Sequence, residues 1–207
     1  MEKLVSPPPQ RYTFEEYLHL EQNSAEKHEY RHGEIISMAG GSENHSLITT
    51  NVIGELRNRI KGMPCRVYDS NLRVRIARKV RYCYPDVFVI CNQTQFDEDD
   101  RSRTTITNPR VVIEVLSPST EYADRGEKFS RYIQIESLEE YILVSQHKPR
   151  METFLRQGDG TWSFAYFDGS AIIARVRSLG VDLPLADIYA GVTFPPDNED
   201  SVENPTV

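Results

Sequence analysis

A glutamate stands inside an otherwise apolar run, Val111–Leu116, which reads Val-Val-Ile-Glu-Val-Leu. An apolar run of this length, rich in β-branched residues, predicts a strand that is buried on both faces of a parallel or mixed sheet. The carboxylate of Glu114 must then leave water, which is costly unless a cation, a metal ion or hydrogen-bond donors compensate it. The run therefore predicts a layered fold and a buried acidic group with partners.

A second carboxylate, Asp86, follows Pro85 and opens another apolar run over residues 87–90. If the two strands are neighbours, Asp86 and Glu114 converge at one end of the sheet. Mg²⁺ and Mn²⁺ prefer such oxygen ligands, usually one or two carboxylates with water and substrate phosphate. The alternative is that Asp86 turns a strand end while Glu114 pairs with a buried Arg or Lys. Together the two residues favour a divalent-cation site.

Helical and strand patterns surround these two runs. Thr13 and Glu16 form a capping box that predicts a short helix to about residue 21. Gly33 marks the turn of a hairpin, and apolar residues at every fourth position over 48–60 predict a longer helix. The other elements are predicted as strands at residues 66–76, 81–90 and 140–144, a long exposed loop at 92–109, a helix at about 122–135, and a hairpin turning at 158–160.

The order of these elements indicates the fold class. Antiparallel neighbours come first, and a helical crossover then places the strand at 140–144 parallel to Val111–Leu116. We expect an α/β (α+β) fold with a mixed central sheet flanked by helices and extra hairpins at the N- and C-terminal ends. Residues 12–194 are predicted to form a single domain, residues 1–11 a flexible leader, and residues 195–207 a disordered acidic tail.

A lysine on the helix that follows Glu114 extends the candidate site. Asp124, Lys128 and Tyr132 recur at every fourth position, so they share one helix face. Lys128 can reach back over the end of the preceding strand, as a cation near a phosphate or near the water that attacks it. An exposed Asp124–Lys128 pair on the helix surface is the alternative.

Further charged residues are candidates for the same site. Glu34, after the hairpin turn, could be a third acidic ligand. His45, beside a helix start, could cap the helix, ligate metal or touch phosphate. Five basic residues crowd one short stretch and could contact phosphates without reading bases. They are Arg73, Arg75, Arg78, Lys79 and Arg81. A solvated sheet edge, kept charged against aggregation, is the alternative.

The net charge, the lack of long apolar stretches and the cysteines limit which classes of protein the sequence can encode. A formal net charge of −7 argues against a protein that coats nucleic acid but leaves a local basic groove possible. No stretch approaches the ~18–20 apolar residues that span a bilayer, and residues 1–11 lack a signal-peptide core. We therefore expect a cytoplasmic protein without membrane partners. Cys65, Cys83 and Cys91 are odd in number and lack CxxC spacing, which predicts reduced thiols.

These motifs together resemble the Uma family of putative restriction endonucleases, in the nuclease superfamily whose motif is Pro-Asp … Asp/Glu-x-Lys. The resemblance runs from about residue 12 to residue 194. The matching segments are residues 30–34, His45, Pro85-Asp86, residues 111–120, Asp124–Lys128, Tyr132 and Glu140-Tyr141.

The resemblance implies a restriction-endonuclease-like fold and hydrolysis of phosphodiester bonds that depends on Mg²⁺ (or Mn²⁺). It implies Asp86 and Glu114 as metal ligands, and these two with Lys128 as catalytic residues. The implied partner is nucleic acid, double-stranded DNA in particular, and cutting both strands favours a homodimer or other homo-oligomer. One position departs from the motif, because Leu116 stands where the superfamily has lysine. The alternative is therefore a catalytically weak or inactive nuclease-fold protein that binds nucleic acid or protein.

Overall fold

The computed structural model describes residues 10–38, 40–117 and 124–194. The predicted tail, most of the predicted leader and the predicted helix start at Tyr122 lie outside these residues. The helices are α1 (Phe14–Asn23), α2 (Glu43–Arg59), α3 (Phe129–Tyr132), which continues a π-helical turn over Asp124–Lys128, and α4 (Leu185–Ile188). None of these helices is long and apolar enough to cross a membrane.

The strands fall in two larger sheets and one separate pair. They are β1 (His28–Arg31), β2 (Glu34–Ser37), β3 (Cys65–Asp69), β4 (Arg73–Ala77), β5 (Arg81–Cys83), β6 (Val87–Cys91), β7 (Thr105–Ile106), β8 (Val111–Leu116), β9 (Glu140–Ser145), β10 (Arg150–Arg156), β11 (Trp162–Asp168), β12 (Ile173–Val176) and β13 (Val181–Pro184). The six-stranded sheet has the order β11-β10-β9-β8-β6-β3, the five-stranded sheet has the order β2-β1-β5-β4-β7, and β12 pairs with β13.

The six-stranded sheet is mixed and forms the centre of the fold. Strands β8 and β9 are parallel, whereas β6 pairs with β8, and β9 with β10, in antiparallel fashion. A parallel pair needs a long crossover connection, and the segment that contains α3 supplies it. The mixed sheet with few helices confirms the predicted fold class.

Strand β8 is buried along its whole length, as its apolar run predicts. Ile113 and Val115 pack into one core with Ile48 and Val52 of α2. Val112 and the other apolar residues of its face join a second core. Each fully buried aliphatic side chain contributes about 1.5–3 kcal/mol to stability. Glu114 occupies one of these buried positions without that gain and must also leave water, so its carboxylate needs compensating partners.

The N-terminal elements follow their local signals. Thr13 caps α1, and its hydroxyl and the carboxylate of Glu16 bond reciprocally to each other's backbone N–H groups, which confirms the capping box. The hairpin turns at His32 and Gly33, with φ of 50° and 88°. Positive φ at both turn positions matches the twist of two-residue hairpins, and glycine adopts it without strain.

Two predicted strands are each divided in the structure. The strand predicted at 66–76 breaks into β3 and β4 because Asp69 Oδ1 accepts a bond from the backbone N–H of Asn71, which makes a tight turn. The strand predicted at 81–90 breaks into β5 and β6 around Pro85, which has no N–H to donate. At this second break the chain leaves the five-stranded sheet and enters the six-stranded sheet.

The acidic segment at 92–109 is not the exposed loop that its composition predicts. It contains β7, which pairs with β4, and it buries the carboxylate of Asp100 against Arg73 of β4. Arg73 Nη2 donates to Asp100 Oδ2 at 3.0 Å, and only 1% of Arg73 is exposed. The prediction that Arg73 lies on an exposed basic face able to contact phosphates is therefore wrong, and so is the alternative of a solvated sheet edge, because its guanidinium is buried against a carboxylate.

Asp100 gives the protein an acid-sensitive element. Burial alone would raise the pKa of Asp100, but hydrogen bonds from Ser102, Thr105 and Thr104, with the charge of Arg73, outweigh it and lower the pKa from 3.8 to about 2. A carboxyl whose pKa is lowered by folding stabilises the protein above its unfolded-state pKa, and this contribution is lost as the pH falls through the folded-state pKa.

We therefore expect the free energy of unfolding to fall more steeply between pH 4 and pH 2 in the wild type than in Asp100→Asn. Urea unfolding at several pH values across this window measures both slopes. Parallel pH profiles for the two proteins would show that Asp100 does not carry this sensitivity.

The cysteines differ from prediction. Cys65 and Cys91 lie directly opposite each other on β3 and β6 and form a disulfide, so the prediction of reduced thiols is wrong for both. Cys83 is a buried free thiol. The pairing depends on the register of two strands, which neither the odd number of cysteines nor their spacing reveals.

Candidate active site

Asp86 and Glu114 lie where strands β6 and β8 meet. The two strands pair with Val87 opposite Ile113, so Asp86 and Glu114 occupy the next position beyond this register. Asp86 is held at that point because Pro85 ends the preceding strand segment. The prediction that the two strands are neighbours is confirmed.

Two groups hold the carboxylate of Asp86. The backbone N–H of Val115 donates to Asp86 Oδ2 at 2.8 Å, and His45 Nε2 lies 3.2 Å from the same oxygen. His45 is in the first turn of α2, whose N-cap Ser42 accepts from the His45 backbone N–H and donates to Gln146 Oε1 at 2.6 Å. The start of α2 is thus tied to the end of β9, which fixes His45 beside Asp86.

Glu114 is 2% exposed, and among the described residues Tyr132 and Lys128 of the helix segment contact it. Tyr132 Oη donates to Glu114 Oε1 at 2.8 Å, and Lys128 Nζ lies 3.5 Å from the same oxygen. Burial raises the pKa of the Tyr132 phenol well above its usual 10, so Tyr132 is a neutral donor. The Sγ atom of Cys83 lies 3.1 Å from Tyr132 Oη. The buried carboxylate therefore contacts both a phenol and an ammonium group.

The chemistry of these donors fits a hard divalent cation. Mg²⁺ takes one or two protein carboxylates and completes its shell with water and substrate oxygens, and Asp86 and Glu114 offer this donor type. Within the described ranges no three or more His, Cys, Asp or Glu side chains form a ligand cluster.

The structure brings some of the other predicted site residues together and separates others. His45 joins Asp86, and Tyr132 joins Glu114, as described above. Among the described side chains Glu34 pairs with Arg31, at 3.5 Å, rather than with either carboxylate. Asp124 lies in the π-helical turn, but its side chain falls outside the described part of the structure.

Most of the basic residues on and around β4 and β5 form ion pairs with carboxylates. Arg75 lies 3.3 Å from Asp97, and Arg78 Nε donates to Asp99 Oδ2 at 2.7 Å. The same acidic segment buries Arg73, and Lys79 Nζ donates to Glu15 Oε1 at 2.8 Å. Only Arg81 of the five has no carboxylate within ion-pair distance in the described part of the chain.

Comparison with known proteins identifies the family of this chain. The Uma2 family model, described as "Putative restriction endonuclease", matches residues 14–186. The uncharacterized protein slr1290 of Synechocystis sp. is 37% identical over 180 residues, 87% of this chain and 92% of that protein. The uncharacterized protein sll1609 of the same organism is 39% identical over 150 residues, 72% and 84% of the two chains.

A solved structure resembles the fold. It is a putative nuclease belonging to DUF820 from Anabaena variabilis, with a TM-score of 0.70 and 18% sequence identity. The match covers 87% of this chain and 99% of that one. At this level of identity the likeness shows a shared nuclease-like fold.

Proposed function

Because the chain belongs to the Uma2 family of putative restriction endonucleases, we propose that it is a metal-dependent endonuclease that hydrolyses phosphodiester bonds in double-stranded DNA. One observation carries the proposal. Glu114 is buried in a central strand beside Lys128, and Asp86 occupies the adjoining position of the neighbouring strand. A carboxylate pair with a nearby cation is suited to phosphodiester hydrolysis at a metal ion.

Asp86 and Glu114 would hold Mg²⁺ or Mn²⁺. When bound, such an ion stabilises charge on the phosphate and lowers the pKa of the attacking water. Tyr132 orients Glu114 through its hydroxyl, while His45 and the Val115 N–H orient Asp86. Fixing the ligands in this way matters because neighbouring groups set both the orientation and the basicity of a ligand.

Lys128 supplies positive charge beside Glu114. The superfamily motif has its lysine two residues after the acidic residue, where this chain has the buried Leu116. The helix after β8 brings Lys128 to within 3.5 Å of Glu114 Oε1 instead. From there Lys128 would stabilise the negative charge that develops on the phosphate during hydrolysis.

The proposal predicts loss of cleavage in three single variants. Asp86→Ala, Glu114→Ala and Lys128→Ala should each abolish Mg²⁺- or Mn²⁺-dependent cleavage of supercoiled plasmid DNA. Arg175→Gln is the matched control, because Arg175 is exposed on β12 and pairs with Asp182 at 2.8 Å. Wild-type cleavage that survives all three alanine changes would make this assignment wrong.

Tyr132→Phe tests how Glu114 is held. The change removes only the hydroxyl that donates to Glu114, and loss of a group that orients a metal ligand typically costs about 10–100-fold in metal affinity or activity. We expect the Mn²⁺ concentration for half-maximal cleavage to rise by about that factor.

Tyr189→Phe controls for the loss of a buried hydroxyl, because Tyr189 Oη donates to the backbone carbonyl of Ser145 instead. The same Mn²⁺ dependence in Tyr132→Phe and the wild type would contradict the assigned role of Tyr132.

A second candidate function, binding without cleavage, is favoured by Leu116. This side chain is 2% exposed within an apolar core, so β8 itself carries no cation at the motif position. Wild-type protein that binds DNA with salt-sensitive affinity, yet never cuts at any metal concentration, would favour this function.

We also propose that the protein acts as a homodimer or other homo-oligomer. Cutting both strands of a duplex is readily done by a symmetric pair of active sites. Sedimentation analysis of the purified protein measures the oligomeric state, and a monomer at all concentrations would contradict this part of the proposal.

A further inference from the structure

A narrow crevice lies beside Glu114, between the five-stranded sheet and the helix segment that carries Lys128. We call it the arginine crevice. Its lining includes the side chains Arg31, Arg81, Lys128, Arg131, Tyr132 and Glu29. Lys128 and Tyr132 are the same side chains that contact Glu114, so the crevice adjoins the candidate metal site. Its interior volume is about 10 Å³, which is room for one water molecule or one phosphate oxygen.

Two of these arginines face each other across a strand pair. Arg31 of β1 and Arg81 of β5 are direct register partners. Like charges directly opposite on neighbouring strands are destabilising. Burial, followed by the charge of Arg31, lowers the pKa of Arg81. The repulsion between Arg31 and Arg81 therefore destabilises this strand pair, and a bound anion would relieve it.

Arg81 also has a buried donor without an acceptor. Its Nη1 atom is buried and donates no hydrogen bond within the part of the chain that the structure describes. Buried polar groups are nearly always hydrogen-bonded, so an orphaned guanidinium N–H indicates a missing partner. A water molecule or an anion oxygen could satisfy it. The four cationic side chains of the lining outnumber the carboxylate of Glu29, which favours the anion.

Two carboxylates near the crevice, those of Glu127 and Glu34, pair with arginines at its rim. Glu127 lies 3.3 Å from Arg31 and also pairs with Arg131, and its side chain is 52% exposed. Glu34 lies 3.5 Å from Arg31. These contacts hold Arg31 and Arg131 in place. Glu29 also lines the crevice, and its charge acts against the lowering of the Arg81 pKa, but no carboxylate of the described residues lies within ion-pair distance of Arg81.

We infer that the arginine crevice binds a phosphate group of the nucleic-acid backbone that flanks the scissile phosphate. Arg81 and Arg31 donate to this phosphate, and Arg131 supports them from the helix segment. Guanidinium groups match phosphate oxygens in charge and geometry. Because backbone contacts fix register without reading bases, the crevice positions the strand over Glu114 for any sequence. This inference rests on the proposed function for the identity of the phosphate, but its tests use no cleavage.

Inorganic phosphate tests whether the crevice binds the anion. Thermal unfolding is compared in phosphate and in chloride at equal ionic strength, for the wild type, Arg81→Gln and the control Arg175→Gln. At tenfold excess over Kd, phosphate should raise the Tm of the wild type and the control by about 3–6 °C, but not that of Arg81→Gln. Equal phosphate shifts in all three proteins, or none in the wild type, would overturn the inference.

A labelled DNA duplex tests whether the phosphate belongs to a nucleic-acid backbone. Fluorescence anisotropy in EDTA, from about 50 to 200 mM salt, measures the salt dependence of binding without cleavage. The slope of log K against log salt should fall by about one in Arg81→Gln and stay unchanged in Arg175→Gln. If Arg81→Gln loses the phosphate shift but keeps the full slope, the crevice takes free phosphate and the backbone assignment is wrong.

Folding of the variant is controlled in the same experiments. Arg81→Gln removes one of two opposed like charges, so its Tm in chloride should be no lower than that of the wild type. Arg31→Gln provides a second variant at the opposed position with the same expected losses. A failure of metal-dependent cleavage in the wild type, with these binding results intact, would count against the proposed function and not against the crevice.

Discussion

Glu114→Gln is expected to lower the rate of metal-dependent cleavage by about 10³-fold or more while leaving the fold intact. Glutamine has nearly the same volume and keeps an oxygen that accepts from Tyr132 Oη, so the buried strand can pack as before. It lacks the negative charge that would hold the metal ion. Initial rates of plasmid cleavage at fixed Mn²⁺ measure the loss, and thermal unfolding measures whether the fold is kept.

Glu140 provides the matched control for this change. It is another fully buried glutamate of the six-stranded sheet, but it lies opposite Val111 at the other end of β8. It accepts hydrogen bonds from the backbone N–H and the hydroxyl of Ser178. Glu140→Gln should therefore alter stability without lowering the cleavage rate. A rate for Glu114→Gln within tenfold of the wild type would contradict the role assigned to Glu114.

Arg73→Ala is expected to lower the free energy of unfolding by about 3–5 kcal/mol. It leaves the carboxylate of Asp100 buried without its cationic partner, at a site where both side chains are almost fully inaccessible. Urea unfolding at neutral pH measures the change.

Arg175→Gln, which breaks an exposed pair with Asp182, should cost at most about 1 kcal/mol. Similar losses in the two variants would show that burial does not strengthen the Arg73–Asp100 pair. A smaller loss for Arg73→Ala measured at pH 2 than at pH 7 is also expected, because protonation of Asp100 removes the unpaired charge.

Local signals predicted most of the individual elements. The apolar run of β8, the capping box at Thr13 and the turn at Gly33 each specify their structure within a few residues. The breaks within 66–76 and 81–90 coincide with the turn residues Asp69-Ser70-Asn71 and with Pro85, but only the tertiary fold assigns the two halves of each stretch to different sheets. The β12-β13 pair was missed.

Local sequence patterns did not predict the features that depend on residues far apart in the chain. The burial of Asp100 depends on Arg73, 27 residues earlier, so composition alone indicated an exposed loop. The pairing of Cys65 with Cys91 depends likewise on strand register.

The candidate site also combines features that local patterns predict with features that depend on distant residues. Helical periodicity was sufficient to place Lys128 and Tyr132 on one face, and the structure puts both beside Glu114. The opposition of Arg31 and Arg81 could not be foreseen, because it depends on the register of strands separated by a long stretch of chain. Arg31 lies within the Tyr30–Glu34 match to the family, which was the only signal at that position.

The most direct test of the central claim is a calorimetric titration of Mn²⁺ into the wild type, Asp86→Asn and Glu114→Gln. If Asp86 and Glu114 together form a divalent-cation site, the wild type gives a saturable heat that disappears in both variants. A saturable heat that is unchanged in both variants, or no heat in the wild type, would contradict the claim that these two carboxylates bind the metal.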